Sequence, residues 1–333
     1  MRRKDKRQSV FFNLFLLAFC AVFFTYALLN LTAQVPPTVK SGTGEQDSGE
    51  IPVFRVGVDV KLVSLYASVY DKKNRFVSGL DKSRFRILEN GIEQKIESFA
   101  QEDVPVSMGI VIDFSGSMRG IIGQVKQAAS TFLQLCKPSD EFFLVGFNDI
   151  VYLMHDYTSN INEISTVLKN TTPRGNTSLY DAVYMSVKKA ESGAKPKKAL
   201  IVISDGADNR SYYTLKDMLN KIQETDVQVF CIGLFAGNAQ SAYAQQGAVD
   251  VISILERISK ETGGKAFFPS NTSKLGGVVD EIARELRGQY SFGYFSSNTT
   301  SDGAFRTIKI EMTGKNNEGI KIRHRNGYFA DKK

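Results

Sequence analysis

Three short polar stretches carry side chains that together could bind a hard divalent cation. The first is DFSGS, with Asp113, Ser115 and Ser117, and it directly follows the apolar run VSMGIVI. The second holds Thr177 in RGNTSLYDA, and the third holds Asp205 in VISDGAD, again after an apolar run. Two carboxylates and three hydroxyls, without His or Cys, form an all-oxygen ligand set. Such a set suits Mg²⁺ or Mn²⁺ better than zinc.

The elements around these stretches predict that the polar side chains meet at one edge of a sheet. VPVSMGIVID and KKALIVIS are near-continuous apolar runs, which are typical of strands buried in a parallel sheet. Helical patterns follow them, and strands that alternate with helices predict an α/β fold. We expect a doubly wound, mostly parallel sheet with helices on both faces. Ligands of such sheets bind at the carboxyl ends of the strands, where Asp113 and Asp205 stand.

Each polar stretch also has a simpler interpretation when it is taken alone. The Asp and Ser side chains of DFSGS could cap a helix, and Thr177 could cap the helix that begins near Leu179. The combination of all three stretches, in this order and at strand ends, favours an ion site. Gly116 and Gly206 are expected to let the backbone turn tightly beside the ion.

DFSGS, GNTSLYDA and VISDG resemble the three parts of the metal-ion-dependent adhesion site of von Willebrand factor type A (VWA) domains, which also occur in integrins. The resemblance implies that Ser115, Ser117 and Thr177 bind an ion through their hydroxyls. Asp113 and Asp205 would act directly or through water. A Glu or Asp of a protein partner would complete the coordination of Mg²⁺ or Mn²⁺, and no small-molecule cofactor is implied.

This resemblance covers about residues 105–289, and the flanks extend it. The stretches VSGLDKSRFRILENGIEQKIESF and LRGQYSFGYFSSN resemble the bacterial group described as VWFA-related acidobacterial-domain proteins. The cellular role of that group is undefined. The resemblance therefore names a type of domain and leaves the pathway open.

Strand-like alternation stands on both sides of the α/β region. Asn90-Gly91 between two alternating runs is a strong hairpin signal, and β character returns from Tyr290 onward. We expect the two flanks to pair into one small β-sandwich, because the last strands alone are too few for an independent fold. Separate β modules are the alternative. The predicted organisation is a tip and transmembrane signal-anchor (1–33), a flexible linker (34–52), a β segment (53–101), the VWA domain (104–289) and a second β segment (290–330).

The amino-terminal residues predict a membrane anchor. MRRKDKRQ holds five Lys/Arg and one Asp and so supplies +4 of the net charge of +7, and residues 10–33 are uncharged and largely apolar. Such a stretch can span a bilayer with its basic end in the cytoplasm, which places the folded part outside, in the periplasm or at the cell surface. A signal peptide cleaved after Ala33 is the alternative and would give a secreted protein. The remaining charge of about +3 is mixed in sign, so no nucleic-acid partner is expected.

The residue chemistry favours binding over catalysis. We expect a membrane-tethered module that grips an acidic residue of a protein partner through the cation, and no enzyme activity. A metal-dependent phosphatase or hydrolase is the enzyme alternative, but a phosphatase with an aspartyl nucleophile would need a second acid where Ser115 stands. The only histidines, His155 and His324, lie in strand-like runs away from the polar stretches. A structural envelope scaffold, whose metal only stabilises the fold, is the second alternative.

Other polar residues near the predicted edge receive structural interpretations. Asp181 is expected to be a first-turn helix acid. Asp208 and Asn209 are expected to cap a loop, and Asp149 to lie on the rim. The segment Phe235–Asp250 is the candidate for a specificity loop, since loops at this edge carry recognition.

Overall fold

A computed structural model describes residues 62–101, 103–234, 246–314 and 317–332, with the backbone only for residues 246–249. The predicted membrane segment and linker lie outside these residues. Within the described ranges, no helix has both the length and the apolar character needed to cross a bilayer.

The elements follow one another as a β segment, an α/β region and a second β segment. The first segment holds β1 (Leu62–Tyr70), β2 (Phe85–Glu89), β3 (Ile92–Gln94) and β4 (Ile96–Ala100). The strands of the α/β region are β5 (Val106–Asp113), β6 (Glu141–Phe147), β7 (Val151–Thr158), β8 (Lys197–Ser204), β9 (Gln228–Gly233) and β10 (Ala266–Phe267). Its helices are α1 (Ile122–Gln134), α2 (Ile161–Lys169), α3 (Leu179–Ala190), α4 (Leu215–Gln223), α5 (Gln246–Glu261) and α6 (Leu275–Gly288). The last segment holds β11 (Tyr290–Phe295), β12 (Phe305–Met312), β13 (Lys321–Arg323) and β14 (Gly327–Phe329).

The α/β region is built on a six-stranded sheet in the order β10-β9-β8-β5-β6-β7. All neighbouring pairs are parallel except β6 and β7, which are antiparallel, so the sheet is mixed. Helices α1, α2 and α6 cover one face, and α3, α4 and α5 cover the other. The predicted α/β class is confirmed, and the apolar run of β5 is buried along its whole length.

Close packing at the centre of the sheet depends on a small residue. A Cβ on Gly109 of β5 would lie 2.3 Å from Cζ of Phe143 and 2.4 Å from Cδ2 of Leu200. Neighbouring large side chains therefore fill the space above this glycine. The resulting dense core holds the end of β5 in one position.

Strands from both flanking segments pair with one another. β1 pairs with β11 and β13, and β4 pairs with β11, which gives the sheet β13-β1-β11-β4. β12 pairs with β2 and β14 in a second sheet, β14-β12-β2-β3. The two sheets share one hydrophobic core. Between β2 and β3, Asn90 and Gly91 both have positive φ, 49° and 82°, as a two-residue hairpin turn requires.

The final run IKIRHRNGYFA forms two strands that lie in different sheets. β13 pairs with β1, whereas β14 pairs with β12. The backbone between them is held by contacts outside either ladder: the N–H of Ile310 donates to Nε2 of His324 (3.1 Å), and the N–H of Asn326 donates to the carbonyl of Glu261 (3.4 Å). These bonds let the chain cross from one sheet to the other.

A buried carboxylate at the end of α6 fastens the flanking strands to the α/β region. Glu285 is almost fully buried and forms an ion pair with Arg323. It also accepts hydrogen bonds from the hydroxyls of Ser68 (2.8 Å) and Tyr70 (2.6 Å) in β1. Removing one member of this set would leave a buried charge uncompensated. The packing of β1 and β13 against α6 therefore depends on all members of the set.

Lys197, the first residue of β8, is buried at the same end of the sheet. Its Nζ donates to the carbonyl of Leu286 in the last turn of α6 (2.6 Å) and lies 5.0 Å from the ring centroid of Tyr66. Burial, together with the smaller effect of the nearby Arg287 charge, lowers the pKa of Lys197 to about 7. The ammonium is therefore held by a helix carbonyl and an aromatic face.

We expect Lys197→Met to change how stability depends on pH. The folded protein releases the Lys197 proton at about pH 7 and the unfolded chain near 10.5, so between these values the unfolded chain binds more protons. From about pH 7 to 10, the free energy of unfolding of the wild type should rise by at least about 1.4 kcal/mol more than that of the variant. This difference is the free-energy equivalent of one pKa unit. Urea unfolding from about pH 7 to 10 measures the difference, and identical slopes would contradict it.

Candidate metal site

Three loops meet at the carboxyl edge of β5 and β8. Asp113 is the last residue of β5, and Asp205 directly follows Ser204, the last residue of β8. The Ser204 hydroxyl donates to Oδ2 of Asp113 (2.6 Å), which ties the two strand ends together. The N–H of Gly116 donates to the carbonyl of Gly175 (2.9 Å), which brings the loop that carries Thr177 beside the first loop.

Asp113 is a carboxylate without solvent contact. Its Oδ1 accepts the N–H of Ser115 (2.8 Å), and its Oδ2 accepts the Ser204 hydroxyl. Burial raises the pKa of Asp113 to about 6, the Asp205 charge adds to the rise, and the bonds from Ser115 and Ser204 oppose it. At neutral pH the group is an ionised carboxylate in a poorly solvated place, which a cation would stabilise.

The three hydroxyls have few other bonds. Oγ of Ser115 and Oγ of Ser117 lie 3.0 Å apart, and the Ser115 hydroxyl also interacts with the Asp113 carboxylate. No residue of the described ranges forms a hydrogen bond with the Thr177 hydroxyl. Ser115 and Thr177 are buried, whereas Ser117 is exposed. The hydroxyls therefore have lone pairs to offer to an ion, and the site is open to solvent on the side of Ser117.

Phe114 orients the DFSGS turn. Its ring is fully buried in the core between the sheet and α1, as its place in the motif predicts. Its N–H donates to the carbonyl of Phe147 at the end of β6 (2.7 Å), and its carbonyl accepts the N–H of Arg174 (2.8 Å). With the backbone held on both sides, Ser115 and Ser117 are presented at the edge of the sheet.

The second and third loops are joined to each other at Thr177. The N–H of Thr177 donates to Oδ1 of Asn209 (3.0 Å), and the N–H of Asn209 donates back to the carbonyl of Thr177 (3.0 Å). Oδ1 of Asp208 accepts the N–H of Tyr180 (3.3 Å) and the hydroxyl of Ser211 (2.6 Å). Asp208 and Asn209 thus support the loops, as predicted.

Asp149 does more than lie on the rim. Its Oδ1 accepts both the backbone N–H (3.1 Å) and the side-chain amide (2.8 Å) of Asn176, next to Thr177. Gly175 has φ +76°, and a Cβ there would come within 1.8 Å of Oδ2 of Asp149. The carboxylate therefore supports the turn that delivers Thr177, a role that its position after β6 did not reveal.

Asp181 holds the end of the third loop. Its two oxygens accept the N–H groups of Tyr212 (2.9 Å) and Tyr213 (2.8 Å), and its own N–H donates to the Ser211 hydroxyl (3.0 Å). The ring of Tyr213 stacks on Tyr184 at 3.9 Å between centroids. Asp181, predicted as a first-turn helix acid, therefore has both oxygens engaged by the loop.

The two glycines of the motif act differently from each other. Gly206 has φ +80°, and a Cβ there would lie 2.2 Å from Cγ1 of Val251, so the expectation of a tight turn holds. Gly116 does not have positive φ; a Cβ there would approach the carbonyl of Gly175 at 3.3 Å. At Gly116 the requirement is the close approach of another loop.

The arrangement of Asp113, Ser115, Ser117, Thr177 and Asp205 fits a hard cation. Across the described ranges, no cluster of three or more His, Cys, Asp or Glu could hold a metal ion. An ion here would depend on hydroxyls as much as on carboxylates, as the oxygen-only ligand set requires. Residues 235–245 of the predicted specificity loop lie outside the described chain.

Ser204 is the site residue that sequence reasoning missed, and it generates a prediction. Ser204→Ala removes the donor to Oδ2 of Asp113 and an acceptor of the Gly206 N–H (2.9 Å). In EDTA at about pH 8 the free energy of unfolding should fall by about 1–3 kcal/mol, because a buried ionised oxygen loses its partner. At about pH 5 the loss should be smaller, because Asp113 is then mostly protonated. Urea unfolding at both pH values provides the measurement, and an equal loss at both would contradict the role of Ser204.

Part of the chain matches a known domain family, and several solved structures are similar to it. Residues 108–281, just over half of the chain, match the sequence model of the von Willebrand factor type A domain. A von Willebrand factor type A structure from Catenulispora acidiphila is 12% identical with a TM-score of 0.48, and the match covers 82% of this chain and 74% of that chain. An aerotolerance-related membrane protein from Bacteroides fragilis is 15% identical with a TM-score of 0.43, covering 54% and 98%.

A third similar structure is proximal thread matrix protein 1 of the mussel byssus, with a zinc-occupied MIDAS motif. It is 16% identical with a TM-score of 0.45, covering 60% of this chain and 49% of that chain. At these identities the likenesses concern the fold alone. The match to the domain model carries the assignment: this chain belongs to the von Willebrand factor type A domain family.

Proposed function

We propose that this chain is a binding module that holds a divalent cation and, through it, an acidic residue of a protein partner. The cation would be held by Asp113, Ser115, Ser117, Thr177 and Asp205. The observation that carries the proposal is the buried Asp113 carboxylate beside hydroxyls that lack other strong partners. A dication supplies the missing charge and uses the free lone pairs.

The exposure of the ligands supports a role in binding rather than in stabilising the fold alone. Ser115 and Thr177 are buried, but Ser117 is exposed and Asp205 is half-buried. An ion held between them would face solvent on one side. Mg²⁺ or Mn²⁺ bound by few protein groups keeps exchangeable waters, and an external carboxylate can replace one of them.

The surroundings of the hydroxyls argue against a hydrolase. His155 bonds to the carbonyl of Asp156 in β7, and His324 bonds to Ile310 and Arg325 in the flanking strands. Neither imidazole has a hydrogen bond to Ser115, so the described chain forms no Ser–His pair of the kind that activates a serine nucleophile. We propose a binding module without enzyme activity.

We further propose that the module stands outside the cell membrane on an amino-terminal anchor. This part of the proposal rests on the basic tip and the uncharged residues 10–33 of the sequence. Display outside the membrane would make the metal edge accessible to an envelope or surface protein.

Calorimetric titration of the full-length protein with Mg²⁺ and Mn²⁺ tests the cation site. Binding should be lost or weakened at least about tenfold in Asp113→Ala and in Ser115→Ala, because each removes an oxygen from the site. Ser165→Ala, which removes a helix-surface hydroxyl bonded to the carbonyl of Ile161, is the matched control and should bind as the wild type.

The same samples test the partner role. A short peptide with one glutamate should bind in Mg²⁺ and fail to bind in EDTA, because the cation is the anchor. Unchanged Mg²⁺ affinity in both alanine variants would contradict the site. Metal binding without any metal-dependent binding of the peptide would favour the structural scaffold.

A further inference from the structure

We infer that the partner presents a run of carboxylates together with an apolar side chain, rather than a single acidic residue. This inference rests on the proposed function, since one carboxylate of the run would bind the ion. Three exposed arginines carry it: Arg119, Arg174 and Arg210, one on each of the three loops that build the site. We call them the arginine rim.

Backbone contacts place the arginine rim around the site. Arg119 lies in the short 3₁₀ helix Gly116–Gly120, two residues after Ser117. The N–H of Arg174 donates to the carbonyl of Phe114 (2.8 Å). The N–H of Arg210 donates to the carbonyl of Thr177 (3.1 Å). All three backbones are thus within a few residues or one hydrogen bond of a proposed ligand.

The guanidinium groups of the arginine rim have no hydrogen bond or ion pair with any described residue. Most other described arginines do, in salt bridges or with backbone carbonyls. Arg257, in α5, is the one further exception among them. Unpaired arginines are therefore concentrated at the metal edge.

Among the described residues, the acidic groups at the same edge form no ion pairs with the three arginines. Asp181 and Asp208 accept bonds from loop N–H or hydroxyl groups, and Asp149 accepts both amide donors of Asn176. The bonds from Asn176 lower the pKa of Asp149, and the charge of Arg210 adds to this effect. The charge of Arg210 thus lies close enough to affect the pKa of Asp149, although the two side chains form no ion pair. The edge therefore presents mainly hydrogen-bond donors. The planar guanidinium group of an arginine can donate two parallel hydrogen bonds to one carboxylate.

Two exposed apolar side chains at this edge point to a protein partner. Tyr212 is 88% exposed and Ile150 is 66% exposed, the highest values among the large apolar residues of the described chain. Tyr212 is held on a rigid loop by Asp181, and Ile150 lies in the turn between β6 and β7, next to Asp149. Arginine with exposed aromatic and aliphatic groups is typical of protein interfaces. A phosphate polymer would leave the apolar groups uncovered.

The test compares two peptides on the full-length protein in Mg²⁺ by fluorescence anisotropy. One peptide has two glutamates on each side of a leucine, and the other has a single glutamate among glycines and serines. We expect the acidic peptide to bind about tenfold more tightly than the single-glutamate peptide, the sum of several exposed ion pairs. The triple variant R119Q/R174Q/R210Q should lose this advantage and bind Mg²⁺ no more weakly than the wild type, because it removes only positive charges from around the cation.

A matched control removes the same number of positive charges elsewhere. K72Q/K73Q/R257Q changes exposed residues that lack side-chain partners within the described chain, and it should bind both peptides as the wild type does. If the rim variant retains the tenfold advantage, or if the control loses it equally, the inference is overturned. A rim variant with at least the wild-type Mg²⁺ affinity and an unchanged melting temperature shows that the loss does not come from misfolding.

A second comparison separates protein from polymer. The double variant Ile150→Ser, Tyr212→Ser should weaken the leucine-containing peptide several-fold. If inorganic polyphosphate binds the wild type more tightly than that peptide and the double variant binds the peptide normally, a protein partner is excluded. One further outcome is that the acidic peptide binds through the arginines even in EDTA. That result would contradict the metal-bridged function but would leave the role of the arginine rim intact, so failure of the proposed function can be told apart from failure of this inference.

Discussion

The architecture of the site depends on one unfavourable placement, a carboxylate buried at the end of a central strand. Asp113 has no contact with solvent, and burial raises its pKa to about 6 despite the bonds from Ser115 and Ser204. Such a group destabilises the metal-free fold at neutral pH, when it is ionised. The dense core around β5 holds it in place, and a bound dication would remove the penalty. Under the proposed function, stability and cation binding would be coupled through the same oxygen atoms.

The other polar groups near the proposed site either support its loops or remain, within the described chain, unpaired at its edge. Asp149 and Asp181 turn their oxygens to loop N–H groups and so give Thr177 and Tyr212 defined positions. The arginines of the same loops are left unpaired and face outward. At the other end of the sheet, Glu285 and Arg323 fasten the flanking strands to α6. The flanking sheets are thus fastened at the end of the α/β region that lies away from the proposed cation site.

Sequence patterns predicted the buried strands and the hairpin because these depend on local signals. Apolar runs indicate β5 and β8, and Asn90-Gly91 adopts the positive φ values that its chemistry favours. The sequence predicts neither Ser204 as a site residue nor the supporting role of Asp149, because both depend on bonds to residues distant in the chain. A Ser at the end of a strand also has no distinctive spacing. The division of the last run into β13 and β14 depends likewise on long-range contacts, those of His324 and Asn326.

The proposed cation ligands are the five oxygen-bearing side chains Asp113, Ser115, Ser117, Thr177 and Asp205. The most direct measurement is a crystal structure grown with Mn²⁺, with diffraction recorded at the manganese absorption edge. We predict one strong anomalous peak at bonding distance from the hydroxyls of Ser115 and Ser117, and we predict that it disappears in Asp113→Ala. Mn²⁺ bound elsewhere, or no peak between these loops in well-ordered crystals, would contradict this assignment.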